Sequence, residues 1–335
     1  MANSLKNLVA PLENLTVVEI TGADAATFLH SQLTNDIANL APGSACLAGY
    51  CTAKGRLLAS LVVWRPAQQP CQTFYALIRK DIADTTIKRL SMFVLRSKVK
   101  LEITGQNVFG VVLPRGTALS ATLPRTPAQA DPLAGAMPTS LPTSATPYCL
   151  LQSPEATWIA APTARDEESR WWVINQKPGT IDTSQLKSGS TAWQAADIAA
   201  GLPWVTAATQ DIFIPQTLNL DLIDGVSFTK GCYPGQEIVA RSHYRGTVKR
   251  RMAYGVVNAM PSSWTQDVEL PGVDIYNALR PDSPCGRVVN AAYWGTKTHL
   301  LLEIQITDLG SADFRLKAAT GAQIGIQPLP YPITA

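Results

Sequence analysis

The sequence predicts an α+β protein with largely antiparallel sheets and a small β-barrel toward its C-terminal end. Three observations carry that expectation. Short β-rich runs and amphipathic helical segments interleave in the order β-α-β-β-β-α-β through the N-terminal part. A proline-rich stretch then interrupts all periodicity. Beyond Thr247, brief alternating runs return with turn residues between them.

The first run is Leu15–Ile20 (LTVVEI). Thr21 and the acidic first-turn residue Asp24 then open a helix with apolar Phe28, Leu29 and Leu33 on one side. Strand-like runs follow at Ala45–Tyr50, Leu57–Trp64 and Phe74–Ile78. A second helix, capped by Asp81, is expected to continue through Phe93, with Ile82, Ile87, Leu90 and Phe93 on its buried side. Lys98–Ile103 and Val108–Leu113 return to strand character. From Pro114 to Pro147 seven prolines fall among Ala, Thr, Ser and Gly, the composition of a loop or linker. Structure resumes at Tyr148, with a strand at Trp171–Asn175 and a helix from Thr191 through Ala200 that Gly201 and Pro203 stop. The C-terminal runs are Arg251–Val257, Gly286–Tyr293 and Thr298–Ile306.

At 335 residues the chain is too long for one ordinary core. Its signals divide it into residues 1–113 (α+β), 114–147 (linker), 148–246 (a second α+β domain) and 247–335 (β-barrel). With 46% apolar and 16% charged residues it is a globular chain, not a disordered one. The net charge of +3 suits an anionic small molecule and does not demand nucleic acid. No apolar run is long enough to span a membrane, and no secretory signal is evident at the N-terminus. The six cysteines are scattered with no CxxC pair, which reads as reduced thiols in a cytoplasmic protein without its own metal site.

Lys230-Gly231-Cys232-Tyr233-Pro234-Gly235-Gln236-Glu237 is the most informative stretch. Pro234 fits the first position of a short helix through Arg241. Cys232 would then precede a helix N-terminus, where free N–H groups and the dipole favour a thiolate. Lys230, Arg241 and Arg245 add positive charge. Gly231 and Gly235 allow close backbone approach. A plain turn with an incidental cysteine, held between Phe228 and Ile238, is the alternative.

The segment Phe213–Arg241 (FIPQTLNLDLIDGVSFTKGCYPGQEIVAR) with His243–Arg250 (HYRGTVKR) resembles the signature of the YgfZ family, folate-binding relatives of the glycine cleavage T-protein. The family motif KGCYxGQE stands complete here. Weaker similarity extends over Ile20–Ile37, Cys51–Leu61 and the PLPY ending at Pro328–Tyr331. The resemblance implies a T-protein-like fold with a central channel for tetrahydrofolate or another reduced folate. It also implies a role in synthesis or repair of iron–sulfur clusters, including those of tRNA-modifying enzymes, acting through Cys232 with Lys230 as its neighbour. Partners are then a reduced folate and iron–sulfur proteins or their assembly machinery. Direct tRNA binding and membrane association are not expected, and a monomer is.

Trp193 falls where the family has a tryptophan lining the folate site, although a helix-to-sheet anchor is the other reading. Asn219 and Asp221 line a folate pocket or cap turns. Glu237 matches paired pterin donors, or caps structurally, and Arg241 suits the anionic tail. Tyr233 and Gln236 complete the motif. His30 and Gln32 lie on the first helix, and His243, eleven residues after Cys232, is a conceivable thiol partner. The T-protein enzymes carry an aspartate pair where this chain has Gly55–Ser60 (GRLLAS), so aminomethyl transfer is not expected. A one-carbon transferase acting on another substrate is the alternative function.

Overall fold

The computed structural model describes residues 8–68, 72–116, 141–142, 146–175, 189–244, 248–258 and 269–333. Most of the proline-rich segment, Cys71 and Arg245 lie outside the described residues. The chain forms two compact units, one of Met1–Leu29, Ile37–Leu47 and Leu61–Trp193, the other of His30–Asp36, Ala48–Ser60 and Gln194–Ala335.

In the first unit, β1 (Leu8–Pro11) pairs with β7 (Val108–Pro114), which continues through β10 (Glu168–Asn175) and β9 (Ala156–Ala161) to β8 (Leu150–Gln152). All of these pairings are antiparallel. The strands on both sides of the proline-rich segment therefore belong to one sheet. Successive side chains of a strand face opposite ways, and β10 uses this to bury tryptophan on both faces. Trp171 meets Trp158 edge-on at 6.2 Å, while Trp172 lies 6.4 Å from Trp193. All four indoles are essentially fully buried.

A second sheet runs in the order β3 (Ser44–Cys51), β4 (Leu57–Arg65), β5 (Thr73–Arg79), β2 (Leu15–Thr21), β6 (Lys100–Ile103). Helix α1 (Ala25–Gln32) follows β2, and α2 (Lys80–Ser91) follows β5. Two details of α2 differ from the sequence expectation. The N-cap is Arg79 and makes no side-chain cap, while Asp81 lies inside the first turn, where its charge complements the dipole. The helix also closes at Ser91, through short-range bonds from Met92 N–H to Arg89 O and Phe93 N–H to Leu90 O. Phe93 therefore falls beyond the amphipathic stripe of Ile82, Ala83, Thr86 and Leu90 and is exposed.

The second unit holds α3's C-terminal part (the helix spans Gly189–Ala199), α4 (Gln236–Tyr244) and a six-stranded antiparallel sheet. Its strands are β11 (Arg250–Val257), β12 (Asp274–Asn277), β13 (Arg280–Trp294), β14 (Lys297–Gln305), β15 (Phe314–Leu316) and β16 (Gly325–Gln327), in the order β15-β12-β13-β14-β11-β16. Register shifts in β12–β13 and at Val288/Asn290 curl the sheet. Bonds from Leu316 N–H to Ala322 O and Ile324 N–H to Phe314 O then tie edge strand β15 to the segment entering β16. The result is the expected small barrel, filled by Val288, Leu300, Leu302, Ile304, Phe314 and their neighbours.

Candidate functional site around Cys232

The second unit gathers the segments that stood out in the sequence. Thr34 Oγ1 donates to Gly225 O at 2.6 Å and accepts from Gly49 N–H at 2.7 Å. Leu57 exchanges backbone bonds with Phe213 O and Asp211 N–H, and the Arg56 guanidinium donates to Ile212 O. These bonds hold the Thr52–Arg56 turn and the Phe213–Asn219 segment as one frame.

The motif loop seats on that frame through two glycines. Gly235 has φ +81° and Gly55 has φ +70°, a region that L side chains rarely adopt. A Cβ on Gly235 would lie 2.4 Å from Thr52 O and 2.5 Å from Gly55 Cα. Neither backbone can withdraw without unmaking the turn bond from Gly55 N–H to Thr52 O, so both positions need glycine.

Lys230 anchors the other end. Its Nζ donates to Leu33 O at 2.6 Å and to His30 O, satisfying carbonyls at the C-terminal end of α1. The ammonium also lies 4.8 Å from the centre of the Tyr233 ring. Burial brings the Lys230 pKa down to about 8, against opposing attraction from the Asp36 carboxylate and the Cys232 thiolate. Burial likewise raises the Tyr233 phenol well above its usual range. Asp36 in turn lies 3.0 Å from His30 Nδ1, and His30 Nε2 sits 3.3 Å from where a Cβ on Gly231 would be.

Between these anchors Cys232 is exposed. The other described cysteines are buried (Cys51, Cys285) or partly so (Cys46, Cys149), and burial pushes the Cys51 thiol up to about 12. One expectation needs correction. Helix α4 begins at Gln236, not at Pro234, because the left-handed Gly235 interrupts the chain before it. Cys232 therefore stands a full turn away from the helix N-terminus, where the dipole has largely faded.

The remaining candidates divide. Glu237 and Arg241 are exposed one helical turn apart on α4, and neither has a partner among the described residues. Gln236 Nε2 reaches back to Gly231 O at 3.5 Å. His243 stacks on Phe228 at 3.7 Å with the rings nearly parallel. Gln32 is buried on α1. Asn219, wholly buried with φ +57°, spends its amide on the backbone of β11, donating to Met252 O at 2.8 Å and accepting from Met252 N–H at 3.1 Å. Asp221 pairs with buried Arg251 at 2.6 Å. Trp193 is 1% exposed in the first unit; the Arg170 guanidinium lies 4.1 Å from its ring centre, and a Cβ on Gly110 would come within 2.3 Å of the ring. Its ring packs between helix and sheet, with the indole N–H buried and without a hydrogen-bond partner among the described residues. Ser60, in the stretch that lacks the aspartate pair, bonds to Pro203 O and Val205 N–H.

Sequence reasoning missed the lock formed by Gln216, Asn219, Arg251 and Tyr331. Gln216 donates to Val239 O at 2.6 Å, Arg251 donates to Gln216 O at 2.9 Å, and Tyr331 of the PLPY ending donates to Gly201 O at 2.9 Å. A polar residue inside a strand pattern (Arg251) was the available signal.

No family model matches the chain. It is 30% identical over 326 residues to the tRNA-modifying protein YgfZ of Edwardsiella ictaluri, covering 96% of this chain and 91% of that protein. Identity is also 30% over 330 residues to the protein of the same name from Klebsiella pneumoniae, with the same coverage. An uncharacterized protein of Haemophilus influenzae is 31% identical over 242 residues, 72% of this chain and 70% of that one. Among solved structures, the glycine cleavage system aminomethyltransferase T of Bartonella henselae superposes with a TM-score of 0.65 at 13% identity, covering 96% of this chain and 85% of that one. That likeness gives the chain the T-protein fold. Near-full-length identity to the YgfZ proteins, together with a motif loop pinned on glycine and lysine, places the chain in the YgfZ family.

Proposed function

We propose that the protein is a reduced-folate-binding accessory factor for the synthesis or repair of iron–sulfur clusters. It would act through Cys232 in the cytoplasm and support tRNA modification indirectly. The observation that carries this reading is the presentation of Cys232. The loop around it is fixed at both ends by buried contacts, yet the thiol itself faces solvent, which is how a reactive side chain is held rather than a core one. Lys230 sets the electrostatics of that loop through a charge that burial has made titratable near neutrality.

Folate fits part of the candidate set. Without partners among the described residues, the Glu237 carboxylate suits paired pterin N–H donors and the Arg241 guanidinium suits the anionic tail. Trp193 and Asn219 fit less well, because packing covers the indole ring and the Asn219 amide is spent on Met252. When bound, a reduced folate would supply a one-carbon carrier or a structural ligand. This chain's own contribution is to orient the thiol and recognise the ligand's two polar ends.

Two measurements test the reading. In a strain deleted for the gene, Cys232→Ser should fold normally and fail to restore the activity of iron–sulfur enzymes; full restoration would remove the thiol from the mechanism. Calorimetric titration with tetrahydrofolate should be saturable and should weaken about tenfold or more in Glu237→Gln or Arg241→Ala, the effect of losing one charge-assisted contact. Absence of binding to the wild type would remove the folate half.

A further inference from the structure

Seven large apolar side chains are exposed among the described residues, and three of them fall within four consecutive positions just after α2. Met92 is 60%, Phe93 45% and Leu95 89% exposed. Leu95 also takes a left-handed backbone, φ +39°, which a branched side chain rarely adopts. The turn is nonetheless well made. Besides the two bonds that close α2, Val94 N–H bonds to Ser91 O and Ser97 N–H to Val94 O at 2.6 Å. Its far end is pinned where Asp24 accepts from Lys98 N–H at 2.7 Å. An ordered turn thus holds apolar groups in water, where they add nothing to folding.

The charge around it is one-sided. From Thr85 to Lys100 there are five Lys and Arg residues and no Asp or Glu, whereas the whole chain carries only +3. The rest of the protein is therefore net negative as a whole, and this segment is one of two cationic runs, the other being Arg241–Arg251 with five Lys and Arg residues and no acid. Lys88, Arg89, Arg96 and Lys98 are exposed, and among the described residues only Lys100 of the five has an acidic partner, Glu102 at 2.6 Å.

We propose that this turn is a docking surface for an acidic, apolar segment of a partner protein. Apolar groups at the centre with cations on either side form the core and rim of a protein interface, and Met, Phe and Arg are types enriched in such cores. Complementary charge on the partner would steer association. RNA fits less well, since it stacks on aromatic faces and the most exposed groups here, Leu95 and Met92, have none. The fixed backbone keeps the ordering cost of binding low.

The test uses the full-length protein and a fluorescein-labelled synthetic peptide of alternating Glu and Leu blocks in helical register. Fluorescence anisotropy should give saturable binding. Affinity should weaken roughly tenfold or more in Met92→Ser/Leu95→Ser and in Lys88→Glu/Arg96→Glu, as expected for central contacts and steering charges. Both variants should keep the wild-type melting temperature, because the substituted side chains are exposed. No binding by the wild type, or equal binding by both variants, overturns the proposal. So does variant-sensitive binding to phosphatidylglycerol vesicles or to bulk tRNA with none to the peptide, which would assign the surface to a bilayer or to RNA.

Discussion

Replacing Gly235 by alanine should cost the second unit about 2–5 kcal/mol and loosen the thiol it positions. Two physical terms add. An L residue held at φ +81° pays about 1–2 kcal/mol in backbone strain. The new methyl group would also meet Thr52 O at 2.4 Å and Gly55 Cα and N at 2.5 Å, all main-chain atoms that cannot rotate aside. Overpacking against rigid neighbours typically adds about 1–3 kcal/mol. Gly295→Ala separates the terms, because Gly295 has φ +66° with nothing within 4 Å of its Cβ and should show the strain alone. Urea unfolding gives the free energies, and mass-spectrometric alkylation of Cys232 by iodoacetamide reports the loop. If Gly235→Ala unfolds no more readily than Gly295→Ala and its thiol reacts at the wild-type rate, the contact between the two glycines does not seat the loop.

Lys230→Met should change how stability depends on pH. The wild-type ammonium titrates at about 8 in the folded state against 10.5 ordinarily. Between those values the unfolded chain holds a proton that the folded chain lacks, so stability rises with pH across that window, while below it the burial cost is felt in full. Unfolding free energies measured from pH 7 to 10 should diverge between wild type and variant; parallel curves would show that Lys230 is not the group concerned. Asn219→Ala leaves Met252 N–H and O buried without partners and should cost about 2–4 kcal/mol in urea unfolding. Arg251→Met strands the buried Asp221 carboxylate, an expected loss of about 3–5 kcal/mol in urea unfolding.

How much of this was legible in the sequence depended on whether the signal was local. The strands at Leu15–Thr21, Leu57–Arg65 and Thr73–Arg79 announced themselves through β-branched and aromatic runs, and the second amphipathic helix through its stripe. Its end was not legible, because Phe93 continues the period and only the short-range closure at Leu90 stops it. The site was legible as a motif but not as a mechanism of positioning. Lys230 read as a neighbour of the thiol, yet its ammonium lies on carbonyls of His30 and Leu33. Asn219 read as a binding residue or a turn cap, while its amide copies a strand's pairing with Met252. Trp193 allowed two readings, and its packing against Arg170 and Gly110 was not visible from spacing. In each case the deciding partner lies far along the chain, where spacing carries no information.

The Lys230 anchor joins residues 200 and 197 positions apart. Contacts so distant in sequence raise the contact order, and high contact order goes with slow folding. A nascent chain can make its first strands and helices well before the lysine that completes the thiol's cradle has been synthesised. Until Lys230 has been synthesised and has reached those carbonyls, the loop that carries Cys232 lacks one of its two anchors.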